Sequence, residues 1–317
     1  MLKRIETHQV RAGMFVEAIE GVVHDKAWQR HRFLLTGDAI VQRLKASSAG
    51  TVVINTAKGS DVTAGASASC SAVATPPAER LKADAAAALQ TVQQASQLLG
   101  GLFGAAHVGA AVSIDEAAGI VDEISKSIDR NPSVLVSVTR LRSKDETTFV
   151  HSISVSALLI HFGRYLGLDE ATVQLLGMGG LLHDIGKLEV PSAILNKNGS
   201  LDPHELKLMR CHPDMGHQIL SRQEAMPAMV LDICRHHHER IDGKGYPARL
   251  SGASFSLYAR MAAICDVYDA ITSVRPYRKP WSAGEALAWM LKRDGQFDRR
   301  LLKKFALCLS ITLSQPA

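Results

Sequence analysis

The run His236-His237-His238-Glu239 stands just ahead of Asp242-Gly243-Lys244-Gly245-Tyr246-Pro247, and some fifty residues upstream stands His183-Asp184-Ile185-Gly186-Lys187. Imidazoles, carboxylates and a lysine therefore recur within sequence that is otherwise apolar and helical. Burying such groups without partners is costly. Divalent cations are the most economical partners for imidazole and carboxylate together. The chemistry implied is metal-dependent hydrolysis.

Nine of the thirteen histidines fall between positions 151 and 238. Four groups stand out: His151; His183 with Asp184; His212; and His237 with His238. Asp266 adds a carboxylate inside the apolar stretch Ile264-Cys265-Asp266-Val267-Tyr268-Asp269. A coincidence of seven polar residues in apolar helices is a poor account of this set, given the cost of burying them unpaired. Other candidates have blander readings. His161, His204 and His217 read as packed or helix-surface residues, His236 as a bystander, and His24, His31 and His107 as structural. Glu239 reads equally well as a supporting residue or a solvent-facing one. Cys211, Cys234 and Cys265 read as small packing residues.

Helices must carry these groups. Apolar residues at 149, 150, 153, 155, 157, 158, 159 and 162 predict a helix over 147–166, closed by Gly167. Helices are also expected over 171–182, running into His183-Asp184, and over 202–223, 225–238 and 258–273. Upstream, 78–99 is alanine-rich and helical, 100–113 is a weak zone, and 114–130 is a helix ended by Asn131-Pro132. Residues 1–60 differ: 10–23 and 51–54 read as strands, with a short helix over 38–45. The expected organisation is a small α+β domain over 1–60, a linker rich in Ala, Ser, Gly, Thr and Pro over 61–77, connecting helices over 78–132, and a catalytic domain over 133–317.

The series His151, His183-Asp184-Ile185-Gly186-Lys187, His212-Pro213, His237-His238-Glu239 with Gly245-Tyr246-Pro247, Asp266-x-x-Asp269-Ala270 and Arg275-Pro276-Tyr277-Arg278 resembles the HD-GYP family, a branch of the HD superfamily of metal phosphohydrolases. Six separated motifs occur in order across roughly residues 135–300. Gly13-Met14-Phe15-Val16 and Ile54-Asn55-Thr56-x-Lys58-Gly59 resemble the small domain found in front of many HD-GYP domains. Its position suggests a regulatory or dimerising role, through a second copy or a signalling partner.

The resemblance implies a mainly α fold, an HD-type helical bundle preceded by a small α+β domain. It implies hydrolysis of cyclic di-GMP to linear pGpG, with GMP as the alternative end product, by a hydroxide between two metals. His151, His183 and Asp266 would complete one metal, and His212, His237 and His238 the other, with Asp184 bridging. Iron or manganese suits such ligands, with zinc as an alternative. Lys187 would stabilise charge in the transition state. Tyr246 would stack or donate a hydrogen bond to substrate, Arg275 and Arg278 would clamp phosphate, and Asp269 would support the site. Some family members hold a third metal through a glutamate one turn before the first histidine. Thr147 stands there, which leaves two. The tail from Phe305 stops earlier than in relatives of this kind, which would leave an edge or an apolar patch bare. The rival readings are a phosphodiesterase for another cyclic dinucleotide and a non-catalytic receptor or interaction module.

Bulk properties agree with this reading. The chain is 46% hydrophobic, 21% charged and only 5% aromatic, with a net charge of +5. Its basic residues are scattered, so a nucleic-acid polymer is not the expected partner. Five cysteines without a C-x-x-C pair point to a reduced, cytoplasmic compartment. MLKRIETHQV has no apolar core of a secretory signal, and the most apolar window, 98–114, is too short to span a bilayer.

Overall fold

A computed structural model describes residues 2–21, 33–35, 38–45, 49–56, 58–60, 77–140, 147–197, 199–274 and 279–309. The chain divides into two compact units, Met1–Ala74 and Thr75–Ala317.

The first unit holds strands β1 (Leu2–Glu6), β2 (Phe15–Gly21) and β3 (Phe33–Leu34), helix α1 (Asp38–Lys45) and strand β4 (Ala49–Asn55). The strands form one antiparallel sheet in the order β1-β4-β2-β3. Its core is Ile5, Val10, Met14, Val16, Leu35, Val41, Leu44, Val52 and Ile54. β1 was not expected, because only Ile5 of its five residues is buried. An edge strand faces water along most of its length and loses the apolar alternation that betrays a strand. β2 is shorter than the expected 10–23. Gly13, at φ 88°, turns the chain ahead of it. The Gly13 amide donates to Leu35 O at 2.8 Å, and its carbonyl accepts from Ser60 N at 2.7 Å.

The second unit is helical. It contains α2 (Pro77–His107), α3 (Ile114–Arg130), α4 (Pro132–Arg140), α5 (Thr147–Tyr165) and α6 (Glu170–Leu182). A 3-10 turn over Ile185–Glu189 leads to α7 (Ser192–Leu195), α8 (Pro203–Met209), α9 (His212–Leu220) and α10 (Ala228–His236). α11 (Leu257–Thr272), α12 (Ala283–Leu291) and α13 (Arg299–Cys308) follow. The bundle is built around α5. Val150, Ile153, Ala157 and Ile160 face a core shared with α2, α3, α6 and α10. Val155, Leu158, Leu159 and Phe162 face a second core with α11, α12 and α13. A helix buried on all sides reads as apolar all round. That burial is what makes a charged or polar residue on α5, such as His151, expensive unless it is paired.

Three expectations need correcting. α2 does not end before Gly100-Gly101 but runs on to His107. Burial of Leu99, Leu102, Phe103 and Ala106 outweighs a cost of about 1 kcal/mol per helical glycine. The helix expected over 202–223 is two helices, broken at Arg210-Cys211. Pro213 lies in the first turn of α9; it has no N–H to bond Met209 O, and its ring would clash with that carbonyl in a continuous helix. The helix expected from 225 begins at Ala228, after Pro227, and ends at His236, so His237 caps it and His238 lies beyond.

Close packing around the 3-10 turn fixes the site. A Cβ on Gly186 would lie 1.9 Å from His212 O and 2.4 Å from Gly216 N, so only glycine lets the turn press against the start of α9. Gly186→Ala is expected to cost about 2–4 kcal/mol, as overpacking against backbone does. Gly119→Ala, on exposed α3 with nothing within 4 Å, should be neutral or slightly stabilising. Paired thermal melts check this, and equal melting temperatures for the two variants would refute it.

Candidate metal centre

Each imidazole of the site is delivered by a helix end or a buried helix face. His151 is in the first turns of α5, His183 caps α6, His212 opens α9, His237 caps α10, and Asp266 sits within α11. Five elements distant in sequence thus converge. His151, His183, Asp184, His212 and His237 are buried, and Asp266 is 8% exposed.

Ligand atoms of Asp184, His212, His237 and His238 lie within 4.8 Å of one another, and those of His151, His183 and Asp266 form a second such group. Asp184 faces both. Its Oδ1 is 3.3 Å from His212 Nε2 and 3.8 Å from His237 Nε2. Its Oδ2 is 3.3 Å from His183 Nε2 and 3.6 Å from His151 Nε2. His183 Nε2 and Asp184 Oδ1 are fully buried yet make no hydrogen bond of proper geometry. Buried orphan atoms of this kind are rare and need an explanation. Inward-facing imidazole nitrogens around a carboxylate fit divalent metal, and a cation in each group would satisfy one of the two atoms.

The imidazoles are oriented from behind. His183 Nδ1 bonds Gly180 O at 2.8 Å, His212 Nδ1 bonds Met209 O at 2.7 Å, and His237 Nδ1 bonds Cys234 O at 2.9 Å. A carbonyl accepts only, so each Nδ1 carries a proton and donates, and Nε2 is the nitrogen turned inward. His151 is held by a carboxylate instead, with Nδ1 2.6 Å from Asp269 Oδ2. Ser154 and Ser273 donate to the other Asp269 oxygen at 2.5 and 3.1 Å. Ser154 is three residues beyond His151 on α5, a spacing that puts both on one face and that the sequence could have revealed.

Electrostatics follow from this packing. Burial would raise the Asp184 carboxyl, but the charges of His183 and Lys187 outweigh it and hold it well below the usual range. Asp266 is likewise driven down against its burial, by His151. Burial and the neighbouring His238, His183 and His212 hold His237 well below its ordinary value. Burial, helped by His212 and Lys187, pushes His238 down to about 3. His151 goes the other way. Burial opposes its charge, but hydrogen bonds to Asp266 and Asp269 push it up to about 9.

Lys187 Nζ lies 2.5 Å from Asp184 Oδ2 and is 29% exposed. Tyr246 is not a free platform. His238 stacks on its ring at 4.7 Å, and the Arg210 guanidinium lies over the ring at 5.4 Å. Burial, then Asp266 and Asp184, raise its phenol, which stays protonated as a donor. Arg275 and Arg278 lie outside the described residues, as does Glu146, and the side chain of Thr147 is not described. His236 pairs with Asp232 at 2.8 Å, away from the ligand groups. His161 Nε2 lies 3.3 Å from Cys308 O.

Residues 125–301 match the HD domain family, and residues 2–134 match a domain of unknown function, DUF3391. The chain belongs to the HD domain family. Its Gly245-Tyr246-Pro247 motif places it in the HD-GYP branch. A cyclic di-GMP phosphodiesterase of Pseudomonas aeruginosa is 42% identical over 98% of this chain and 77% of its own length. The cyclic di-GMP phosphodiesterase response regulator RpfG of Xanthomonas campestris is 35% identical over 57% of this chain and 48% of its own. A 3'3'-cGAMP-specific phosphodiesterase of Vibrio cholerae is 39% identical over 46% of this chain and 33% of its own. The solved structure of Bd1817, an HD-GYP-type protein from Bdellovibrio bacteriovorus, superposes with a TM-score of 0.58 at 19% identity, covering 98% of this chain and 100% of that one, and shows the shared fold. Among the described residues, no helix of this HD-GYP chain is long and apolar enough to cross a membrane.

Glu239, ambiguous in sequence, is 2% exposed. Its carboxylate accepts from Ala248 N at 2.7 Å and Leu250 N at 3.1 Å, clasping the Gly-Tyr-Pro loop of this HD-GYP chain. A Cβ on Gly245 would lie 2.5 Å from Glu239 Cα, so the glycine lets the loop fold onto its clasp.

Two predictions follow from this geometry. Glu239→Ala strands two amide donors and should cost about 1–3 kcal/mol. Hydrogen exchange at Ala248 and Leu250 should quicken while metal uptake is unchanged; unaltered exchange at both amides would count against the clasp. Hydrogen bonds to Asp266 and Asp269 push His151 up to about 9 against its burial, so a metal taken up on its Nε2 would compete with a proton. Binding at pH 7 should release about one proton per chain and tighten as pH rises to 9. Calorimetry in buffers of different ionisation enthalpy reads this directly, and buffer-independent heats would contradict it.

Proposed function

We propose that this chain is a phosphodiesterase that opens cyclic di-GMP to the linear dinucleotide pGpG, with GMP as the alternative end product, using two divalent metals. The single observation that carries the reading is Asp184, whose two oxygens face two separate ligand groups. A carboxylate in that position can bridge two cations, as two-metal hydrolytic sites require. His151, His183 and Asp266 would hold one metal, and His212, His237 and His238 the other. Iron or manganese suits this mixed set, with zinc as the alternative. When bound, the metals would supply a nucleophile ionised near neutral pH and stabilise charge on the phosphoryl oxygens.

The protein's own groups do the rest. Carbonyl partners keep three imidazoles in the tautomer that offers Nε2. Asp269 fixes the His151 ring. Lys187 is partly exposed beside Asp184 and can follow charge onto a phosphate oxygen as it develops. Tyr246 keeps its proton and can donate to a substrate oxygen. Arg275 and Arg278 are proposed phosphate contacts on sequence grounds alone. The relatives named for cyclic di-GMP support the substrate, and the long match to the Pseudomonas protein weighs most. A cytoplasmic location is part of the proposal.

Anaerobic purification, metal analysis and chromatographic assay of cyclic di-GMP test it. The expected result is close to two metals per chain and accumulation of pGpG or GMP. Asp184→Ala should lose both metals and reduce turnover more than about a hundredfold, beyond what loss of a supporting residue costs. Fewer than one metal per chain and no product with added iron or manganese would overturn the proposal. A 3'3'-cGAMP comparison belongs in the same assay, because one relative is named for that substrate.

A further inference from the structure

Arg210 occupies the break between α8 and α9, two residues before His212. Its backbone is fixed, with the amide donating to Leu206 O at 3.0 Å. Its guanidinium lies over the Tyr246 ring, 5.4 Å from the centroid. That ring stacks at 4.7 Å on His238, a member of the Asp184 ligand group. A cation is therefore held one aromatic ring away from the metal centre. The residue is exposed, and among the described residues it makes no ion pair. Arg235 pairs with Asp214, Arg240 with Asp242, and Arg260 with Asp298. Lys187, also beside the site among the described residues, lies against Asp184.

We infer that Arg210 binds substrate, taking the phosphodiester that is not being cleaved. The inference rests on the cyclic dinucleotide reading. Such a ligand carries two anionic phosphodiesters in one ring. While one reacts at the metals, the other lies outside the ligand shell and needs a cation of its own. A guanidinium offers a planar fork matched to phosphate. Stacking on Tyr246 holds that fork ready and reduces the ordering cost on binding. Tyr246 then serves two neighbours, packing the ligand His238 and carrying the phosphate contact.

The test compares cyclic di-GMP with bis(p-nitrophenyl) phosphate, a diester with a single phosphate, in the metal-loaded full chain. Arg210→Gln should raise KM for cyclic di-GMP by about ten- to a hundredfold, the range for a lost charged hydrogen bond. It should leave kcat within about threefold, and metal content and cleavage of the one-phosphate ester unchanged, because neither involves a second phosphate. Arg210→Lys should recover part of the lost affinity. An unchanged KM in a wild-type background that cleaves both substrates sinks the role of Arg210 alone. Equal losses on both substrates, or loss of metal, would make it a structural residue. A loss of binding for cyclic di-GMP with none for cyclic di-AMP would move the contact to the base and overturn the assignment. A wild-type chain that cleaves the simple ester and not cyclic di-GMP would fail the substrate reading itself, and Arg210 with it.

Discussion

Charge burial is the constraint on which the helical unit depends. Three carboxylates, Asp184, Asp266 and Asp269, meet five imidazoles where α5, α6, α9, α10 and α11 converge. Removing such groups from water is unfavourable unless each finds a partner. The protein alone satisfies most of them but leaves His183 Nε2 and Asp184 Oδ1 stranded. The atoms that lack partners are those a divalent cation would use, so its binding would favour the folded state.

The opposed shifts of His151 and His238 express the same constraint. His151 is buried and His238 partly buried, yet one is pushed up and the other down. The difference lies in their neighbours. His151 is bracketed by Asp266 and Asp269, whereas His238 sits among other imidazoles and near Lys187. The carboxylates at one end of the cluster favour a charged imidazole, and the crowding of cationic neighbours at the other disfavours one.

Around the ligands runs a layer of groups that fix direction. Helix-end carbonyls select tautomers, Ser154 and Ser273 steady Asp269, and Glu239 clasps the loop that carries Tyr246. Glycines set how closely this layer can approach, above all Gly186 against His212 and Gly245 against Glu239. The Gly-Tyr-Pro motif thus works through packing: its tyrosine stacks on His238, and its glycine admits the clasp.

The sequence by itself determined the helical class of the larger unit, the seven metal-site candidates and the family. Those rest on residue types in fixed order, and ligand chemistry tolerates few substitutes. It did not disclose β1, the full length of α2, or the break at Arg210-Cys211. These were decided by long-range burial and by proline geometry, which outweigh local propensity. Nor could it choose between a supporting and a solvent-facing Glu239, because that depends on where the amides of Ala248 and Leu250 arrive after folding. Only the tertiary structure set Asp184 between two ligand groups and Arg210 over Tyr246. Both are contacts between segments far apart in the chain, and no spacing along a sequence encodes the distance between helices that pack from different directions.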